Sequence, residues 1–277
     1  MRILTLVWMM LVGSYLFSAP NCELYAEGTA ARQACELCMK AISYPQGSPL
    51  SQKYFDKAME VDPTFAYAPY EKAVPFLKRG EFQTWKSLID IAVELEPQAY
   101  LPYRGWCLFK FMRDYELALA DLEAYMKMSD NQFTPSQDGD HDLRIVIALC
   151  KRELGREEEA IRDMEAAISD NKQNHFVGLY DYLHLGVSKL RIKDYQGAIE
   201  AFGQEIGQYE KLADTYYYLG AAWQGLGNVK SARENYEKSL HLFQGQGYTF
   251  DDIYTETLDR VYEAEVILKL IEIENLD

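Results

Sequence analysis

Pairs of amphipathic stretches follow one another along most of the chain. Within stretches of about 12 to 14 residues, apolar residues recur at intervals of three and four, which predicts helices with one buried face. Short turns join these stretches in pairs, and glycines fall at the turns, at Gly80, Gly155 and Gly227. A glycine there tolerates the positive φ that ends a helix. The pattern predicts an all-α chain built from helical hairpins.

The hairpins are copies of one unit with a period of 34 residues. Four pairs of similar residues are separated by that spacing: Tyr182 and Tyr216, Leu185 and Leu219, Ala198 and Ala232, and Phe202 and Tyr236. We count six units, at 32–65, 66–98, 99–131, 141–174, 179–212 and 213–246. The third unit has one extra residue in its first half, before Arg113-Asp114-Tyr115. The polar stretch 129–140 predicts a long loop or hinge.

These repeats resemble the tetratricopeptide repeat (TPR) family. The sixth unit shows the pattern of an aromatic residue, Leu-Gly, a turn, Ala and a second aromatic residue, here Tyr216, Leu219-Gly220, Gly227-Asn228, Ala232 and Tyr236. The first unit departs from the pattern with cysteines, and the second with Pro69. The resemblance implies an α-α superhelix, a right-handed solenoid of antiparallel helix pairs in which each pair is buried by its neighbours.

Two glycines within predicted first helices need a separate explanation. Gly186 and Gly220 lie mid-helix, where glycine costs about 1 kcal/mol relative to alanine. We expect these glycines where two helices approach closely, and we expect the same of the alanines Ala198 and Ala232.

The C-terminal residues 250–277 predict a helix that caps the array. Tyr254, Leu258, Val261, Tyr262 and Ile267 form an apolar stripe at helical spacing, and acidic residues occupy the other face. This helix would cover the apolar surface of the sixth unit.

The N-terminus has the three parts of a secretory signal peptide. Met1-Arg2 is followed by the apolar run 3–17 and by the small residues Ser18-Ala19, which predicts a signal peptide over 1–19 and a tail over 20–31. We therefore expect an exported protein, in the periplasm, at the outer-membrane periphery or secreted, with no membrane span in the mature chain. An alternative is lipidation of Cys22, although the residues before it match a lipobox poorly.

Composition excludes some classes of partner. The 277 residues carry 28 Lys+Arg and 43 Asp+Glu, a net charge of −15. Nucleic acids and anionic membrane surfaces need basic protein surfaces, so neither is expected as a partner. The charge favours a neutral or basic protein segment.

No motif in the sequence predicts catalysis, a cofactor or a metal site. Cys35 and Cys38 form a CxxC that falls on packing positions of the first unit; a disulfide with Cys22 and thiol chemistry are the alternatives. Of the four histidines, His184 could face the ligand groove, and none forms a metal-binding pair. The run 138–142 has too few ligands for calcium and instead suggests a helix N-terminus. We expect no enzyme.

The resemblance also implies a ligand groove on the concave face, lined by the first helix of each unit. The expected peptide-binding positions are Tyr67, Tyr70, Val74 and Leu77 in the second unit, Tyr180, Leu183, Val187 and Arg191 in the fifth, and Asp214, Tyr217, Ala221 and Gln224 in the sixth. Tyrosine suits such a surface because it offers a large contact area with few rotatable bonds. The charged clamp of chaperone-tail binders is absent.

The sequence therefore predicts an exported, non-catalytic protein-interaction scaffold that binds a peptide or protein segment in this groove. The alternative is an outer-membrane lipoprotein anchored through Cys22 that acts as an envelope assembly or protease adaptor. The partner is not identified by any residue pattern.

Overall fold

The computed structural model describes residues 19–173, 176–245, 247–249, 252 and 255–274. The predicted signal peptide lies almost entirely outside the described residues. Within the described part, the chain divides into an N-terminal unit, which ends at Glu96, and a C-terminal unit, which begins at Pro97.

The N-terminal unit holds two helical hairpins. Its helices are α1 (Ala30–Ile42), α2 (Pro49–Val61), α3 (Tyr67–Lys78) and α4 (Phe82–Leu95). The Thr29 side chain caps α1 by accepting a hydrogen bond from the Arg32 amide, and Ser48 caps α2 ahead of a proline at the first helical position.

The C-terminal unit continues the hairpin pattern with four more pairs. They are α5 (Pro97–Cys107), which runs into a π-helical turn (Leu108–Met112), and α6 (Tyr115–Met128); α7 (Leu143–Glu153) and α8 (Glu157–Gln173); α9 (Asp181–Arg191) and α10 (Tyr195–Gln208); and α11 (Ala213–Gly225) and α12 (Val229–Gln244). A last helix, α13 (Glu263–Glu274), packs on α12. The fold class predicted from the repeats, an all-α array of antiparallel helix pairs, is confirmed.

The turns within the hairpins explain the repeated glycines. Gly80, Gly155 and Gly227 have φ values of 74°, 77° and 76°. Arg113 and Lys193 occupy the equivalent turns of their hairpins with φ of 52° and 63°. Because these two carry a Cβ, their turns are less favourable than the glycine turns.

The π-helical turn accounts for the irregular third repeat. A π-helix closes its hydrogen bonds over one more residue than an α-helix, so it absorbs an insertion without breaking the helix. Leu108–Met112 forms this turn at the end of α5, in the half-repeat that has one residue too many. The insertion thereby leaves the α5–α6 pairing intact.

The mid-helix glycines lie at close helix contacts, as predicted. A Cβ on Gly186 would collide with the Phe202 ring, and one on Gly220 would lie 2.8 Å from the Tyr236 ring. Ala198 and Ala232 are fully buried in the same hairpins. Small residues on one helix therefore accommodate an aromatic ring from its partner.

The N-terminal tail is tied to the first helix by a disulfide. A short 3₁₀ turn (Cys22–Leu24) brings Cys22 to Cys35 of α1, with Cα atoms 5.5 Å apart. A sulfur in a disulfide cannot carry a thioether-linked lipid, so this arrangement is incompatible with the alternative of lipidation at Cys22. Cys38 is a buried free thiol whose pKa burial raises to about 12, as suits a packing residue.

The C-terminal cap differs from the prediction. Among the described residues of 250–277 the helix is Glu263–Glu274, so Leu258, Val261 and Tyr262 do not belong to a helical stripe, and Tyr254 lies outside the described residues. Val266 and Ile273 of α13 pack with Tyr236 of α12. The preceding residues are non-helical because their backbone and side chains bond to other helices, as described below. No helix among the described residues is long and apolar enough to cross a membrane.

Candidate binding face

The C-terminal unit holds a segment of its own chain across several of its first helices. We call Asp252 together with Thr255–Tyr262 the C-terminal segment. The surface beneath it, which we call the binding face, comprises residues of the π-helical turn, the turn that follows it, α7, α9 and α11: Lys110, Arg113, Arg152, His184 and Asp214.

Asp259 lies at the centre of this contact. One oxygen of its carboxylate, Oδ2, lies 2.7 Å from Nη1 of Arg152 and 2.6 Å from Nδ1 of His184. The side chains of Arg152 and His184 are each 1% exposed and that of Asp259 is 9% exposed. The aspartate therefore completes a buried ionic cluster formed by α7 and α9.

Electrostatics keep this aspartate ionised. Burial by itself would raise the pKa of Asp259, but the charge of Arg152 and the hydrogen bond from His184 lower it to about 2. Burial lowers the pKa of His184 below its usual value, against the opposing effect of Asp259. At neutral pH the cluster is an ionised aspartate held by an arginine and a neutral histidine.

Neighbouring groups hold Arg152 in place. Its Nε donates to Glu153 at 2.9 Å, and its Nη1 lies 3.5 Å from the Ser188 hydroxyl. Arg191, which we expected in the groove, donates to the same Glu153 at 2.7 Å. It thereby helps to hold the carboxylate that bonds to Arg152. These bonds come from α7 and α9 and do not involve the segment, so they restrict the guanidinium and lower the entropic cost of recognition.

The face also binds the backbone of the segment. The buried Asp214 accepts a hydrogen bond of 2.8 Å from the Val261 amide. Arg113 donates to the carbonyl oxygen of Glu256, also at 2.8 Å. Contacts to main-chain groups recognise an extended chain independently of its side chains.

Apolar contacts complete the interaction. Leu258 packs against the cluster that includes Ile145, Leu149 and Leu185. Val261 is 2% exposed and lies with Tyr236 and the α13 side chains. The segment thus presents Leu258, Asp259 and Val261 to three different parts of the face.

A second ionic pair lies beside the first. Nδ1 of His141, at the end of the long loop, lies 3.0 Å from Oδ1 of the fully buried Asp181. Burial lowers the pKa of His141, but the hydrogen bond to Asp181 and its charge outweigh this effect, so the net pKa is raised. The rings of His141 and His184 are 5.2 Å apart. Nearby, Lys110 bonds to Asp138 at 2.7 Å and to Asp252 at 2.9 Å.

The groove positions expected in the fifth repeat lie mostly in the protein interior. Leu183 is fully buried and Val187 is 6% exposed, both packed against Leu212 and Phe202 of the hairpin core. The residue after Leu183, His184, faces the segment instead. In α9 the residue that reaches the segment is therefore one position, or about 100° around the helix, from the expected one, whereas Asp214 of α11 lies at an expected position.

In the sixth repeat the expected positions are divided between two environments. Asp214 belongs to the binding face, as described above. Tyr217 packs on Tyr236, the two ring centroids lying 5.6 Å apart, and Gln224 accepts a hydrogen bond from the Tyr236 hydroxyl. Ala221 is half-buried. Tyr180, in the turn before α9, is half-buried, and burial raises the pKa of its hydroxyl.

The second-repeat positions belong to the N-terminal unit. Tyr70 and Leu77 are 4% and 7% exposed, and Val74 is half-buried. The Tyr67 hydroxyl donates to Glu71 at 3.4 Å. Most of these side chains are therefore packed within the unit.

The basic residues of the face were not expected from the sequence. Lys110, Arg113 and Arg152 lie near the C-terminal ends of first helices, where basic residues are common because they interact favourably with the helix dipole. Their position in the sequence therefore gives no sign of a role in binding. Among the described residues no group of His, Cys, Asp and Glu is arranged to hold a metal ion.

Comparisons with known proteins place the fold. No family model and no curated protein matches the sequence. The solved structure of YrrB, described as a TPR protein with an unusual peptide-binding site, aligns with a TM-score of 0.53 at 17% identity, over 68% of this chain and 91% of that one. The structure of PilW, a type IV pilus biogenesis factor, aligns with a TM-score of 0.60 at 14% identity, over 85% of this chain and 98% of that one.

A TPR protein from Parabacteroides merdae aligns with a TM-score of 0.61 at 13% identity, over 88% of this chain and 87% of that one. At these identities the likeness concerns the fold. Together with the 34-residue period and the close helix contacts at Gly186 and Gly220, it shows that this chain has the tetratricopeptide repeat fold.

Proposed function

We propose that this protein is a non-catalytic interaction scaffold that binds an extended segment of another protein on the binding face of its C-terminal unit. One observation carries the proposal: a non-helical segment already lies on that face, held through the carboxylate of Asp259, two backbone hydrogen bonds and two apolar side chains. A surface that binds one non-helical segment in this way has the chemistry to bind another.

The structural neighbours support the same function by analogy. YrrB is described as having a peptide-binding site, and PilW as a pilus biogenesis factor.

We further propose that the protein is exported. The N-terminal sequence has the features of a signal peptide, and the Cys22–Cys35 disulfide fits an oxidising compartment. The alternative, a lipoprotein anchored through Cys22, requires that thiol to be free. Intact mass spectrometry of the mature protein separates the two, since a lipid on Cys22 adds mass and leaves Cys35 reduced.

Site-specific photo-crosslinking in cells tests the location of the binding site. A photoreactive amino acid at Arg113, on the face, should capture a partner protein, in the wild-type chain or in a Leu258→Ala chain with a loosened segment. The same probe at Glu200, exposed on α10, is the control. Equal capture of the same partner from Glu200, or none from Arg113 in either chain, would contradict the proposal.

A further inference from the structure

The binding face contributes basic side chains, although the protein as a whole is acidic. The net charge is −15, which by itself favours a basic partner. The face, however, contributes Lys110, Arg113 and Arg152, and it binds the carboxylates of Asp252 and Asp259. Buried charges act at short range with little screening, so the local groups decide what binds at this place.

The bound segment shows which features the face recognises. An apolar residue comes first, then an aspartate, and two positions after the aspartate a branched apolar residue whose amide is bonded to Asp214. Asp259 has a φ of 63°, a left-handed conformation that Asp and Asn adopt more readily than most residues. The face therefore selects for charge, shape and backbone conformation at once.

We propose that the binding face recognises an acidic, non-helical segment of the pattern apolar–Asp–any–branched apolar in a partner protein, and that residues 255–262 of this chain are an internal competitor for the same place. The inference deepens the proposed function and rests on it, because it names the ligand class of that site and the group that regulates access to it.

The way the segment is held is compatible with displacement. It is non-helical, and residues 255 and 257–260 are half-buried, so most of it lies on a surface, while Val261 alone of its described residues is buried in a hydrophobic cluster. Its connection to α13 keeps it close to the face at a high effective concentration. A partner must therefore compete with it, and its apparent affinity falls in proportion to the fraction of chains in which the face is open.

The test uses the full-length mature chain and a fluorescent peptide with blocked termini that carries residues 255–262, Thr-Glu-Thr-Leu-Asp-Arg-Val-Tyr. Two variants of the chain loosen the internal segment. Asp259→Asn removes its charge while keeping a residue suited to the left-handed conformation, and Leu258→Ala removes an apolar contact while keeping the ionic cluster. The control peptide carries Asp259→Asn. Fluorescence anisotropy gives the dissociation constants, and circular dichroism shows whether each variant is folded.

We expect the peptide to bind both variants at least about tenfold more tightly than the wild-type chain, since weakening the competitor raises the open fraction. The control peptide should bind at least about tenfold more weakly than the parent peptide, because its amide offers Arg152 and His184 no carboxylate in the place of Asp259. If Asp259→Asn unfolds the chain, Leu258→Ala decides the result.

Equal affinity for wild type and variants would overturn the internal competition, and equal affinity of the two peptides would overturn the acidic preference. No binding of the peptide to a folded variant would overturn the whole inference. In that case, capture of a partner from Arg113 but not from Glu200 would still support the proposed function, so the two failures are distinguishable.

Discussion

Removal of the Asp259 carboxylate should destabilise the C-terminal unit because it takes a charged partner from the buried Arg152. Asp259→Ala leaves the guanidinium of Arg152, whose side chain is 1% exposed, without its central partner. Removing one member of a buried ion pair typically costs about 3–5 kcal/mol, chiefly because the other charge stays buried. Glu153 remains bonded to Arg152 at 2.9 Å and compensates part of that cost, so we expect about 3 kcal/mol, the lower end of the range.

The pH dependence of unfolding gives a second, independent value for the stabilisation by Asp259. The pKa of Asp259 is lowered from 3.8 to about 2, so the folded state holds the proton less tightly than the unfolded chain. The corresponding stabilisation, about 2 kcal/mol, is present above pH 4 and is lost as the pH falls towards 2. It is smaller than the cost of truncation because protonation keeps a hydrogen-bonding side chain in place.

Amide hydrogen exchange of α7 and α9, measured across a urea series at pH 7 and at pH 3, reports the C-terminal unit separately. Asp163→Asn is the control: its carboxylate pairs with Lys151 but is 40% exposed, so the change should cost at most about 1 kcal/mol. If Asp259→Ala and Asp163→Asn destabilise the unit equally, or if Asp259→Ala is as sensitive to acid as the wild type, the reasoning about the buried cluster is wrong.

Three further predictions concern other parts of the fold. Burial raises the pKa of Glu205 to about 8, so wild-type stability should fall as the pH rises from about 4.5 to 8, and Glu205→Gln should reduce this dependence in pH-dependent urea unfolding. Gly220→Ala should lower the stability measured by thermal unfolding by about 1–3 kcal/mol, because the added Cβ meets the Tyr236 ring. Gly203→Ala, in open space on α10, is the control and should be neutral or stabilising. Equal effects of the two changes would contradict the close-contact explanation. Cys22→Ser, which opens the disulfide loop to Cys35, should cost the N-terminal unit about 3 kcal/mol in urea unfolding, and adding reductant should then have no further effect.

Much of the repeat architecture could be predicted from the sequence because its determinants are local. The apolar spacing, the glycines at the turns and the small residues opposite aromatic rings all act within about one repeat. Even the irregular third repeat was visible as an extra residue before Arg113, although its form as a π-helical turn was not. The turn glycines and the close contacts at Gly186 and Gly220 follow from such short-range patterns, and the structure has them where they were predicted.

The predicted groove was less accurate because a repeat pattern fixes which helix lines a surface more firmly than which residue on it. Leu183 and Val187 were expected at the groove and lie in the core, while His184, the adjacent residue, reaches the segment. A shift of one residue turns a side chain by about 100°, which separates a position in the core from one that reaches the segment.

The helical pairs, the turns within them and the acidic character of the chain follow from the sequence alone. Only the tertiary structure decided the conformation of the residues before α13 and the composition of the binding face. The apolar spacing of Leu258, Val261 and Tyr262 would suit a helix, yet this stretch is non-helical because its partners lie elsewhere in the chain: Arg152 is 107 residues from Asp259, and Asp214 is 47 residues from Val261. A segment whose bonding groups are satisfied by distant helices takes the conformation that those helices impose, and no local pattern specifies it.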